Sequence, residues 1–224
     1  LEDLRPVLAQ CDRLLAHSPQ DLSRLKEIGL THNTALLPHG VIDTYIEGAQ
    51  SPHMMRGDGA MFRVASFGFL LPHKGLEELL DAMALLRDMG QRVSLRMLNA
   101  EYPAEVSRQA IESIRSQIIE RGLDGLVTLD TVYYTDHECL ERLADADLVV
   151  FPYQATQESS SAAVRHAIAS GAPVAVTPLA IFEDVAPAVI ELPGCEPAAL
   201  ADGISRVMGW LPGEWQDYRA RSKN

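Results

Sequence analysis

Cysteine is scarce, with three residues in a chain of 224. Cys11, Cys139 and Cys195 are far apart and odd in number, so they suggest neither a disulfide framework nor a zinc site. They suit a reducing cytosol, and we expect a cytoplasmic protein, peripheral to a membrane at most through parts beyond this stretch. No apolar run approaches the roughly 18 residues of a spanning helix, and no signal peptide is evident, so we expect no transmembrane segment. No basic run or stripe occurs. The net charge is −12, from 19 basic and 31 acidic residues, and nucleic acid is therefore not an expected partner. Any anion must be held by a local positive patch in an acidic protein. There is no internal repeat and no low-complexity tract. The Gly-x-Gly-x-x-Gly dinucleotide pattern is missing, which argues against a nicotinamide cofactor. So are a His-Glu-x-x-His metal motif, carboxylates at metal spacing and a Gly-x-Ser-x-Gly nucleophile elbow. We expect no cofactor and no metal.

What the chain does have is apolar residue, 47%, ample for a core. Arg63 to Phe67, Val93 to Leu98, Leu126 to Leu129, Leu148 to Phe151, Pro173 to Thr177 and Val189 to Leu192 read as strands. Helical spacing runs between them. Leu76, Leu79, Leu80, Met83 and Leu86 form the clearest apolar stripe, ended by Gly90. A second helix runs through Ile111, Ile114, Ile118 and Ile119, a short one from Glu138 to Ala146, and a closing one from Pro197 to Trp210. Six strands alternating with helices predict an α/β fold, a doubly wound parallel sheet of Rossmann-like type. Ahead of it, Cys11 to His17 and Thr34 to Leu37 read as short strands around a helix that Ser18 caps and Pro19 opens. The expected domains are a remnant at 1–45, a linker at 46–60, the sheet domain at 61–210 and a tail at 211–224. The chain opens on Leu1, and we expect it to be a piece of something longer.

The stretch from Glu158 to Thr177 is strand-flanked and carries a helix stopped by Gly171 and Pro173. Glu158 and three serines, Ser159, Ser160 and Ser161, stand where the loop enters that helix. Free backbone N–H groups and the positive helix end suit an anion there. The serines read equally as helix caps. In the loop after the first strand, Gly68 permits a tight turn, and Lys74 precedes the next helix. A lysine at that end opposes the helix dipole, so it either answers a bound anion or is simply solvated. Val132 and Tyr133 occupy a third loop at the same edge, as ligand contacts or as surface residues. His166 reads as a helix-surface histidine or as a site residue.

These segments resemble the retaining glycosyltransferases of GT-B fold, the group 1 or family 4-like transferases, in their C-terminal donor-binding half. The likeness spans about residues 10 to 210. It rests on Pro38-His39-Gly40-Val41-Ile42-Asp43, on Lys74-Gly75, and on Pro152, Glu158, Gly171, Pro173 and Val174. It implies a nucleotide-sugar donor, UDP- or GDP-linked, no metal, and a glycan or lipid-linked acceptor, as in polysaccharide biosynthesis. It implies Glu158 as the catalytic-site carboxylate reading the donor sugar. Gly68, Lys74, Gly75, Val132, Tyr133, the serines and His166 are the implied donor-binding residues. The acceptor-binding N-terminal domain would be a separate, missing part, and the isolated chain would be inactive without it. Two departures stand out. Phe69 occupies the place of a phosphate-binding arginine, for which His73 or Arg165 are the nearby substitutes. His166 occupies that of a second, ribose-gripping glutamate, and an imidazole cannot accept two hydroxyls as a carboxylate does. The alternative is a degenerate, non-catalytic nucleotide-binding or scaffolding module.

Overall fold

The structure is a computed structural model and describes residues 1–41, 59–156, 158 and 160–222. Six parallel strands form the main sheet: β3 (Phe62–Phe69), β4 (Val93–Ala100), β5 (Val127–Asp130), β6 (Leu148–Phe151), β7 (Val174–Val176) and β8 (Ile190–Glu191). Their order across the sheet is β5-β4-β3-β6-β7-β8. The chain thus winds outward from β3 in one direction, then returns and winds outward from β6 in the other. The expected α/β doubly wound fold is present. The switch in strand order lies between β3 and β6, where a crevice opens at the carboxyl ends.

Alternation along the strands builds two cores. Phe62 and Val64 of β3 face one side, with Leu79, Leu80 and Met83 of α3 (Leu76–Asp88), Ile111 and Ile114 of α4 (Glu105–Glu120), and Leu200 and Ile204 of α7 (Pro197–Met208). Ala65 and Phe67 face the other side, with Leu143 of α5 (Asp136–Ala144) and Val164 and Ala167 of α6 (Ala162–Ala169). All four residues of β6 are buried, as suits a central parallel strand covered on both faces.

β3 and β4 run two residues further than their apolar pattern suggests, pairing Gly68 with Asn99 and Phe69 with Ala100. Gly68 is therefore a strand residue, at φ +121°, rather than a loop residue. α5 starts at Asp136 rather than Glu138, because Thr135 and Glu138 form a reciprocal capping box. Asp147, just ahead of β6, is buried. It accepts the Arg63 N–H at 2.7 Å and stitches β6 to β3.

The stretch 211–224, expected to be a tail, carries α8 (Pro212–Ser222). Trp215 and Tyr218 of α8 are buried. Tyr218 accepts the Val174 N–H at 3.0 Å and donates to the Ala188 carbonyl at 3.0 Å. Burial pushes its phenol up to about 12. The short polar-rich stretch hid this helix because, among its described side chains, only two are buried.

Ahead of the sheet, β1 (Leu14–Ala16) and β2 (Thr34–Leu36) pair in parallel around α2 (Pro19–Glu27), with α1 (Arg5–Leu8) before them. Ser18 caps α2 as expected, accepting the Asp21 N–H at 3.1 Å. The expected linker at 46–60 lies outside the described residues except for its last two positions. The same holds for Ile42 and Asp43.

Candidate functional site

A cavity of about 410 Å³ opens at the carboxyl edge of the sheet, beside the switch between β3 and β6. Three segments build it. The end of β3 brings Gly68, Phe69 and, five residues beyond the strand's close, Lys74. The loop after β5 brings Val132 and Tyr133. The loop after β6 and the start of α6 bring Glu158, Ser160, Ser161 and His166.

Lys74 and Glu158 meet across the switch point. The Lys74 Nζ donates to Glu158 Oε2 at 2.8 Å, and His73 Nε2 lies 2.9 Å from Oε1. Lys74 also stands 4.0 Å above the Tyr153 ring, and its side chain is only 11% exposed. A largely buried lysine between a carboxylate and an aromatic face is held in one place rather than solvated at random. Burial acts to raise the Glu158 carboxyl. The hydrogen bond and charge of Lys74, joined by those of His73, outweigh it and hold the group below the ordinary carboxylate range.

The backbone around Lys74 explains its fixed position. Gly75 follows it at φ +68°, and a Cβ there would lie 1.7 Å from the Pro152 carbonyl oxygen. Only glycine lets the two loops close this far. Gly75 is therefore a spacer between the loops and does not line the cavity, whereas Gly68 does.

The serines divide. Ser161 caps α6, accepting the Val164 N–H at 3.4 Å, and shares a hydrogen bond with the Tyr153 hydroxyl at 3.2 Å. Ser160 Oγ is buried on the cavity wall and has no hydrogen-bond partner among the described residues. Ser159 lies outside the described residues.

Val132 and Tyr133 are well exposed, at 56% and 78%, on the cavity rim. Asp130 shapes their loop by accepting the Val132 N–H at 3.1 Å and the Tyr134 hydroxyl at 2.7 Å. His166 also lines the cavity. Its Nε2 is 3.1 Å from Asp136 Oδ1 and its Nδ1 is 3.2 Å from the Ala162 carbonyl. Both partners are acceptors.

Phe69, read in the sequence only as a missing arginine, is an aromatic wall: it stacks with Tyr133 at 6.0 Å and meets Tyr102 edge-on at 5.2 Å. Two further cavity residues escape a sequence reading. Asp136 and Arg142 come from α5, where surface acids and bases are ordinary; Arg142 lies 3.9 Å over the Tyr134 ring. The capping box at Thr135 was the one available signal for Asp136, since it places the first residue of α5 at the sheet edge. Arg165, weighed as a substitute for the absent arginine, is turned away. It is buried, donates to the Ser161 carbonyl at 2.7 Å and to the His39 carbonyl at 3.1 Å, and pairs with Asp184. It joins the β1–β2 unit to α6. His73 is occupied by Glu158. Among the described residues no group of His, Cys, Asp or Glu is placed to hold a metal ion, and no helix is long and apolar enough to cross a membrane.

Residues 62–209 match the family model of the glycosyl transferases group 1. No curated protein matches the chain. Among solved structures, it is similar to the sucrose-phosphate synthase of Thermosynechococcus elongatus, at 20% identity and a TM-score of 0.73 over 98% of this chain and 55% of that one. It is similar to HepE of Anabaena, solved with UDP and glucose, at 18% identity and a TM-score of 0.77 over 99% of this chain and 61% of that one. A UDP-forming α,α-trehalose-phosphate synthase from Burkholderia vietnamiensis gives 14% identity and a TM-score of 0.80 over 99% of this chain and 57% of that one. The chain thus spans between 55% and 61% of the length of these three structures. At such identities the likeness shows the fold, the α/β architecture of GT-B proteins.

Proposed function

The chain belongs to the glycosyl transferases group 1 family, and on that premise we propose that its cavity binds a nucleotide-sugar and presents the sugar for retaining transfer to a glycan or lipid-linked acceptor. One observation carries the reading. A fixed cation and a fixed carboxylate, Lys74 and Glu158, meet at the crevice where a doubly wound sheet binds its ligands.

Each part of such a donor has a complementary wall. The diphosphate lies against Lys74 and the amino end of α6, where Ser160 offers an unspent hydroxyl. The transferred sugar lies at Glu158, whose ionised carboxylate accepts hydroxyl hydrogen bonds strongly. The base lies at the Tyr133 and Phe69 rings. The ribose lies by Asp136, which His166 steadies through one oxygen. A carboxylate from α5 thereby supplies the paired acceptor that an imidazole lacks. Basic groups and a helix end suffice to stabilise a leaving diphosphate, so no metal is invoked. The neighbours solved with UDP or described as UDP-forming make UDP the first donor nucleotide to try.

Phe69 leaves the diphosphate with fewer cations, and Lys74 is already paired. This favours a second reading, a nucleotide-binding module that regulates or scaffolds other transferases.

Calorimetry with UDP, GDP, 2′-deoxy-UDP and the corresponding sugar nucleotides tests the site. UDP or GDP should bind, the 2′-deoxy form more weakly, and Lys74→Ala should weaken diphosphate binding by roughly 1.5–3 kcal/mol, the scale of a hydrogen bond to a charged group. Equal affinity of Lys74→Ala and wild type would sink the diphosphate assignment. Binding of nucleotide with no added affinity for any sugar would favour the module.

A further inference from the structure

We propose that a groove on the sheet face beside α5 binds a soluble phosphate monoester and acts on the larger cavity through Arg142. The groove measures about 180 Å³ and lies over the amino halves of β3 and β4 and the start of β5, away from the carboxyl edge. Parallel register gathers it. Arg63 lies beside Ser94, and Arg96 beside Thr128, and all four line the same hollow. Arg142 and Asp145, at the end of α5, close it.

The charge of the lining selects an anion. Arg63, Arg96 and Arg142 are positive, and Asp145 is the one carboxylate among the described lining residues. Asp145 Oδ2 accepts from Arg63 Nη1 at 2.7 Å and lies 3.9 Å from Arg96 Nη1. One carboxyl oxygen is thus shared between two guanidiniums, while Arg142 faces a neutral ring, Tyr134, at 3.9 Å. Glu138, one turn ahead of Arg142, is spent in the capping box with Thr135. Each guanidinium has five N–H donors, so donors far outnumber acceptors here. Arg63 Nε is buried with no hydrogen-bond partner among the described residues.

A phosphate monoester matches that surplus. It carries about −1.5 to −2 charges near neutral pH and three strong acceptor oxygens, and guanidinium forks fit their geometry. The hydroxyls of Ser94 and Thr128 add neutral partners. The chain as a whole carries a net charge of −12, which an anionic bilayer repels, so the phosphate is a soluble one.

Arg142 carries the effect further, because it lines both the groove and the larger cavity. Its guanidinium rests on Tyr134, whose hydroxyl donates to Asp130 at 2.7 Å. Asp130 in turn accepts the Val132 N–H at 3.1 Å. A phosphate that draws Arg142 off the ring loosens this chain of contacts at its first link, and Val132 and Tyr133 on the cavity rim respond. By linkage, a ligand that fixes the rim then changes the affinity of the groove by the same factor.

The test is a ¹H–¹⁵N titration of the chain with glycerol 3-phosphate, with glycerol as the neutral control. Glycerol 3-phosphate should shift the amides of Ser94, Arg96 and Thr128, and those of Val132 and Tyr133 with the same midpoint. Glycerol should shift none of them. Arg96→Ala should weaken the titration about tenfold, the effect of losing one hydrogen bond to a charged group, and Lys74→Ala should leave it unchanged. Still amides at Ser94 and Thr128, equal shifts with glycerol, or loss of the shifts in Lys74→Ala would each overturn the site. Groove shifts that leave Val132 and Tyr133 unmoved would overturn the coupling. Sedimentation with phosphatidylcholine vesicles, with and without phosphatidic acid, should show no binding. Binding that needs phosphatidic acid and is lost in Arg96→Ala would make the ligand a lipid headgroup and overturn the soluble source. The donor reading fails separately, if UDP shifts none of Gly68, Tyr133 and Ser160.

Discussion

Glu158 lines both the larger cavity and a smaller one beside α2. It is half exposed, yet two basic side chains hold both its oxygens, so its charge persists where solvent would otherwise dilute its directionality. Glu158→Gln keeps the shape and removes the charge. The expected cost is roughly 1–2 kcal/mol in affinity for the sugar nucleotide, within the range for charged hydrogen bonds, with little change for the bare diphosphate. The ratio of the two affinities is the measurement, and an unmoved ratio means Glu158 does not read the sugar. The pH dependence has a definite sign. The folded carboxyl sits below its ordinary value of 4.5, so its contribution to stability is present above that value and is lost as pH falls through the lower, folded one. The difference in melting temperature between wild type and Glu158→Gln should hold from neutral pH to about 5 and shrink below it. Glu158 stood out in the sequence as a candidate; its partners did not. His73, Lys74 and Glu158 are 84 and 85 positions apart, and strand order alone brings them together.

At the scale of elements, the helices and strands were legible wherever apolar residues repeat strongly. α3 and β6 are the clearest cases, one through its stripe and the other through an unbroken apolar run. α8 escaped because amphipathicity over a short, polar helix is weak. Its anchoring depends on one phenol. Tyr218 satisfies the buried Val174 N–H, which β7 leaves without a strand partner at that point. Tyr218→Phe removes the acceptor and keeps the ring. A buried donor left unsatisfied costs about 1–3 kcal/mol. Urea unfolding followed by tryptophan fluorescence should show a lower midpoint and an unchanged slope. An unmoved midpoint would show that water replaces the phenol there and that α8 adds little to the sheet.

At the scale of the molecule, the switch between β3 and β6 fixes where the larger cavity opens, and α2 of the β1–β2 unit lines a smaller one beside it. This chain spans little more than half of its structural neighbours. Orientation of an acceptor supplies much of the rate in a bimolecular transfer. We therefore expect this chain to bind donor but not to turn over at ordinary enzyme rates. A product assay with matched donor and acceptor checks it, and ordinary turnover would place the complete active site within these residues.

By itself the sequence determined the class of fold, and it singled out loops that line the cavity. Local periodicity, helix caps and glycine stops are short-range properties, and they survive being read one residue at a time. The motif around Glu158 and the Lys74-Gly75 pair are likewise local. Only the tertiary structure decided which charges cancel. It paired Lys74 with Glu158, placed Asp136 against His166, and turned Arg165 inward toward Asp184. It also assigned Gly75 to loop packing, since the obstructing atom is the Pro152 carbonyl far along the chain. Those outcomes depend on distances between elements, set by strand order and by packing on both faces of the sheet. No pattern of neighbouring residues encodes them.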